Sequence, residues 1–176
     1  EGDKSKPKIL FSSDLVDIIW ENANPNVQLV VEEKTSGYFS YAYYKNGETK
    51  NANYVYGYKK LVYKNLYSNI DVEYVIHPKG GIKYSLILHP GADISKVKMI
   101  YSDTKKVSLD KQGEIHIPTM FGDIIDHAPV SFYSENLSKK IISSFKLNGK
   151  KVSFSLGTYD NSKTVIIDPW TVTPTI

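Results

Sequence analysis

The chain has 176 residues, of which 41% are hydrophobic and 23% charged, with a net charge of +3 and no cysteine. That length holds one domain with a full core, or two small β-sandwiches. The lack of cysteine excludes a disulfide framework, a thiol nucleophile and cysteine zinc sites. The basic residues are scattered, whereas a nucleic-acid binder needs a clustered stripe.

The nearest thing to such a stripe is Lys139, Lys140, Lys150 and Lys151, which read as solvated strand ends. No apolar run approaches the ~20 residues that span a membrane as a helix. Glu1 to Pro7 is polar, unlike a signal peptide. The close at Pro174-Thr175-Ile176 reads as part of a longer protein. The 14 tyrosines favour strands, because the ring fits a pleated, half-buried surface.

In chain order, Lys8 to Phe11 and Leu15 to Trp20 are short apolar runs that suit strands. Asn22 to Asn26 is a loop by composition, and Val27 to Val31 is a further strand. Tyr38 to Tyr44 and Thr49 to Tyr63 flank Lys45-Asn46-Gly47-Glu48, and Asn-Gly between two such runs predicts a type I′ hairpin. Ile70 to Ile76 and Ile82 to Leu88 form the central hairpin around a turn at residues 77–81. In the second of these strands Ile82, Tyr84, Leu86 and Leu88 share one face, opposite Lys83 and Ser85.

Shorter strands follow at Lys96 to Tyr101, Lys106 to Leu109, Glu114 to Ile117, Phe121 to Ile125 and Pro129 to Tyr133. A turn, Asp110 to Gly113, separates the second and third, and Pro118 and Pro129 mark strand starts or edges. Asn148-Gly149 predicts another hairpin, between Ile141–Leu147 and Lys151–Leu156. Thr164 to Ile167 is the last strand, stopped by Pro169. This spacing, with no convincing helix, predicts an all-β fold of antiparallel sandwich type. It forms one module over residues 1–176, and a sub-boundary near 90–95 would make it two-lobed.

Candidate chemistry is sparse. His77, His89, His116 and His127 show no metal-ligand spacing, so no metal site is expected. Asp123 and Asp126 point to opposite faces of a strand and do not form a catalytic pair. Calcium is the one conceivable ion, on loop oxygens near Asp126 or Asp160-Asn161. Asp71 and Asp168 each sit in an apolar run, and a buried carboxylate there must be hydrogen-bonded; capping of a nearby turn is the expected role. No nucleophile elbow or phosphate loop occurs, so no enzyme is expected. The candidate binding residues are Tyr38, Tyr41, Tyr43, Tyr44 and Tyr56. Strand alternation sets Tyr41 and Tyr43 against Tyr38 and Tyr44, so part of this cluster is exposed. Exposed rings stack on sugars or anchor a protein partner.

Several stretches also carry a resemblance: Leu66 to Tyr74, Gly81-Ile82-Lys83-Tyr84, Pro90-Gly91-Ala92-Asp93, Gly113 before Ile115, Gly122, Pro129, Tyr159-Asp160 and Ile167-Asp168-Pro169. In this order, over about Val55 to Trp170, they resemble the uncharacterised β domain near the N-terminus of large secreted proteins of Bacteroidota. Those proteins are called gliding-motility-associated or β-propeller-repeat proteins. One departure is that relatives carry Tyr-Gln after the proline matching Pro129, and Pro129 to Ser134 here has no glutamine.

The resemblance implies a non-catalytic module of a secreted, cell-surface protein using type IX secretion, serving adhesion or gliding motility. Its implied partners are propeller-like or immunoglobulin-like domains of the same chain, and surface proteins or glycans. The alternative is a carbohydrate-binding module built on exposed tyrosines.

Overall fold

The computed structural model describes residues 15–76, 81–104 and 106–172. The strands before residue 90 are β1 (Asp17–Trp20), β2 (Gln28–Lys45), β3 (Glu48–Tyr67), β4 (Ile70–Ile76) and β5 (Ile82–Leu88). After a 3-10 turn at Ile94–Lys96 come β6 (Met99–Ser102), β7 (Ser108–Leu109), β8 (Ile115–Thr119), β9 (Gly122–Asp126) and β10 (Val130–Tyr133). The last five are β11 (Asn136–Ile141), β12 (Ser143–Asn148), β13 (Lys151–Leu156), β14 (Val165–Asp168) and β15 (Trp170–Val172). The fold is all-β and antiparallel, with no α-helix among the described residues. The sequence-predicted strand at Lys8–Phe11 and most of the turn at 77–81 lie outside the described residues.

β4 and β5 form the predicted central hairpin, in register from Ile70↔Leu88 to Ile76↔Ile82. The far side of β5 meets the end of the chain. β14 pairs with Leu86–Leu88 and β15 with Ile82–Lys83, so Pro169 divides one closing strand into two halves. The first half carries β10 and β11, and the second carries β9, β8 and β7. Proline cannot donate to a ladder, and here the sheet splits at that point. A second sheet, β1-β6-β13-β12, lies against the first.

Alternation decides what lies between them. Ile70, Val72, Tyr84, Leu86, Leu88, Val165 and Ile167 on one sheet, with Met99, Tyr101, Phe145, Val152 and Phe154 on the other, join one buried cluster. Strands on both sides of residues 90–95 contribute to it. The outer face of the large sheet carries ion pairs instead, such as Lys60–Glu73 (2.8 Å) and Lys83–Asp168 (2.8 Å). At the edge of β5 the alternation breaks: Ile82 is exposed.

Two turns differ in an instructive way. In Lys45-Asn46-Gly47-Glu48, Asn46 and Gly47 both take positive φ (54° and 83°), as a type I′ turn requires. At the second hairpin, Asn148 already pairs with Lys151, so the loop residues are Gly149 and Lys150. Only Gly149 has positive φ, at 62°, which is the pattern of a II′ turn. The same dipeptide therefore sits one residue earlier in this turn than the I′ reading predicts.

Candidate binding surface

No residue from Gln28 to Leu61 is buried. β2 and β3 pair along their whole length, yet β4 joins β3 only as far as Lys60↔Val75. Beyond that root, residues 34–58 form a two-stranded ribbon with no third strand among the described residues. Twelve residues per strand at about 3.3 Å each carry it about 40 Å from the sheet. The outer edge of β2 pairs with no strand among the described residues.

The sequence explains why this ribbon forms without a core. Asn46-Gly47 fixes the turn. Tyr38 packs across the strands on Tyr54 (4.9 Å between ring centres) and Tyr56 (5.8 Å), and the Lys34 ammonium lies 3.2 Å above the Tyr56 ring. Such cross-strand pairs contribute roughly 0.2–1 kcal/mol each. Two opposed bulges shape the ribbon. Residues 35–37 face Gly57 alone, and the Thr35 hydroxyl bonds to the Gly37 and Gly57 carbonyls. A Cβ on Gly57 would come within 3.2 Å of that hydroxyl oxygen. Further out, Asn53 and Tyr54 face Ser40 alone, with Tyr54 at φ 59°.

The rings are left to solvent. Tyr38, Phe39, Tyr41, Tyr43, Tyr44 and Tyr54 are 49% to 75% exposed. Alternation puts Phe39, Tyr41 and Tyr43 on one face and Tyr38 and Tyr44 on the other. Phe39 and Tyr41 stack at 30° between planes. Of the binding candidates read from the sequence, Tyr38, Tyr41, Tyr43 and Tyr44 are all exposed, and Tyr56 is half-buried under Lys34. Neither alternating set turns inward, because no second layer covers either face among the described residues. At the root, Tyr58, Leu61, Tyr63, Tyr74, Ile76 and Ile82 help line a concavity of about 280 Å3.

Asp71 and Asp168 are each held by hydrogen bonds, in different ways. Asp71 stands alone opposite the bulge of Lys64, Asn65 and Leu66. Its carboxylate accepts the freed Asn65 N–H (2.7 Å), the Lys64 ammonium (2.9 Å) and a contact from His89 Nε2 (3.0 Å). Burial works against its ionised form, but these partners outweigh burial and hold the carboxyl below its ordinary range. Asp168 accepts from the Ser85 hydroxyl (2.7 Å) and Lys83 (2.8 Å), with no partner shared with Asp71. The capping role expected of both fits Asp71, whereas Asp168 is held by side chains.

The two calcium candidates sit in different surroundings, Asp160 exposed and Asp126 buried. Asp160 Oδ1 accepts from the Ser162 backbone and hydroxyl. Asp126 is fully buried in the core, where Oδ2 accepts from Tyr84 (2.8 Å) and Tyr101 (2.6 Å) and Oδ1 from Thr171 (3.1 Å). Burial raises its pKa, against the pull of the three hydroxyls. A cavity of about 200 Å3 beside it is lined by Tyr84, Tyr101 and Thr171, together with Val16, Ile18 and Ile124.

A third group was not legible in the sequence. Asp110, Glu114 and His116 bring one ligand atom each to within 4.8 Å of one another. Asp110 directly follows β7, Glu114 directly precedes β8 and His116 lies within it, so a four-residue turn folds an i, i+4, i+6 spacing into a cluster. Gly113, at φ 83°, makes that turn possible. Hydrogen bonding to Asp110 raises the His116 pKa, and the Glu114 N–H lowers that of Asp110. His77 lies outside the described residues.

Residues 1–170 match the family described as Domain of unknown function (DUF7948). The chain belongs to that family. No curated protein matches it, and no solved structure does. The matched span of this DUF7948 domain includes the whole ribbon, both carboxylate sites and the Asp110 turn.

Proposed function

We propose that this domain is a non-catalytic structural and interaction module that grips a protein partner with its tyrosine-rich ribbon. The observation that carries the reading is the ribbon itself: about 40 Å of paired strand, aromatic on both faces, with none of its residues buried. An isolated two-stranded hairpin is marginal in water, and exposed aromatic patches with unpaired strand edges favour association. Rings on both faces suit a partner that encloses the ribbon, such as a neighbouring domain of the same protein. An added strand along the β2 edge fits the same geometry. Placement in a secreted bacterial cell-surface protein, in adhesion or gliding, rests on the sequence resemblance described above.

A second reading, carbohydrate binding, is favoured by the near-parallel Phe39 and Tyr41 rings, which offer a platform for a sugar. The test is binding of the labelled domain to whole bacterial cells and to a glycan array. Loss of cell binding on Tyr38→Ser/Tyr44→Ser, with no glycan retained, supports the first reading. Glycan retention abolished by Tyr41→Ala supports the second. Wild-type domain that binds neither cells nor glycans counts against both.

A further inference from the structure

We propose that Asp110, Glu114 and His116 form a site for a divalent transition-series cation, with Zn2+ the best chemical fit. The three donors converge within 4.8 Å, and their side chains are 26% to 30% exposed, so an ion can reach them from solvent. Donor atoms around a zinc ion with bonds of about 2.1 Å stand about 3.4 Å apart. Asp110 Oδ2 and His116 Nε2 already stand near that spacing, at 3.1 Å.

What separates this group from a chance cluster of charges is that each donor is held from behind. Asp110 Oδ1 accepts the Gln112 and Glu114 N–H groups (both 2.9 Å), which leaves Oδ2 facing His116 Nε2 at 3.1 Å. His116 has its other nitrogen, Nδ1, 3.2 Å from Asp123 Oδ2 on β9. Glu114 Oε1 is held at 2.6 Å by His127 Nδ1, whose ring lies against Trp170 (5.3 Å). Metal sites have this construction: a carboxylate on the far nitrogen fixes the ring and its tautomer, and outer partners orient the carboxylate ligands. With the ion on Nε2, the Nδ1–H stays on Asp123, and two carboxylates neutralise the charge of the cation. An imidazole among the donors selects against calcium, which takes oxygen ligands.

The experiment is isothermal titration of the EDTA-treated full chain with ZnCl2 and separately with CaCl2. The variants are His116→Asn, Asp123→Asn and, as a control, His89→Asn. Wild type should bind one Zn2+ per chain and no Ca2+. His116→Asn should weaken zinc binding at least about tenfold. Asp123→Asn, which touches no ion, should weaken it by about 10- to 100-fold, and it serves as the decisive variant if circular dichroism shows His116→Asn unfolded. His89→Asn should bind as wild type does. Absence of zinc binding by wild type, full affinity in His116→Asn and Asp123→Asn, or an equal loss in His89→Asn would each overturn the proposal.

Discussion

Replacing Asp126 tests how the two sheets are joined. Its carboxylate on β9 takes hydroxyls from Tyr84 on β5 and Thr171 on β15, and from Tyr101 on β6 in the opposite sheet. Asp126→Leu removes the acceptor and leaves the Tyr84 and Tyr101 hydroxyls without partners, and both residues are 1% exposed. A buried orphan costs about 1–3 kcal/mol, so the loss is about 2–6 kcal/mol, a large share of a typical domain stability of about 5–15 kcal/mol.

Asp126→Asn behaves differently. The amide oxygen accepts both tyrosines, and the amide NH2 donates to the Thr171 oxygen. Its cost should stay within about 1 kcal/mol at pH 7.

The sign with pH follows from the raised pKa of Asp126. A carboxyl that holds its proton more tightly in the folded state loses stability as pH rises from its unfolded value of about 4 through its folded one. The Asn variant lacks that slope, so it should gain on wild type as pH rises. Urea unfolding followed by tryptophan fluorescence measures all of this. Removing both tyrosine hydroxyls together with the carboxylate, in Tyr84→Phe/Tyr101→Phe/Asp126→Leu, should recover most of the loss. A Leu variant as stable as wild type, or an Asn variant as damaged as Leu, would refute the reasoning.

Asp71 carries the opposite sign. Its lowered pKa contributes stability above about pH 4 that is lost as pH falls through its folded value, so Asp71→Asn should flatten the acid limb of a stability–pH curve. Replacing residues 35–57 by Asn-Gly, which rejoins Lys34 to its partner Tyr58, should change unfolding free energy by less than about 1 kcal/mol, because no buried residue is removed. Gly113→Ala should cost about 1 kcal/mol or more, since φ there is 83°, and should weaken zinc binding by distorting the turn. The Ser131 hydroxyl is buried with no hydrogen-bond partner among the described residues, so Ser131→Ala should be neutral or stabilising in the same urea assay.

Where the chain alternates cleanly, its fold could be read directly. Ile70–Ile76 and Ile82–Leu88 pair as their pattern predicts, and Val152, Phe154 and Phe145 turn inward as theirs does. Reading stopped where structure depends on distant pairing. Thr35-Ser36-Gly37 looks like a break between two strands, yet it is a bulge inside one, held by Thr35 on Gly57. β11 carries almost no apolar residues and forms as an edge strand beside β10. That Tyr41 and Tyr44 face solvent together could not be seen either, because alternation assigns faces but does not say whether a second layer exists. The Asp110 cluster escaped because its spacing spans a turn and matches no helix or strand period. Its outer partners, Asp123 and His127, come from β9 and the residue after it.

The most direct test of the ribbon as a docking arm is a cell-binding isotherm for wild type and for Tyr38→Ser/Tyr41→Ser/Tyr43→Ser/Tyr44→Ser, with thermal unfolding measured in parallel. Exposed aromatic anchors typically contribute 1–2 kcal/mol or more each, so the variant should bind at least about a hundredfold more weakly with its unfolding transition unmoved. Equal binding by the two proteins would contradict the account, and the partner surface would then lie on the sheets and not on the ribbon.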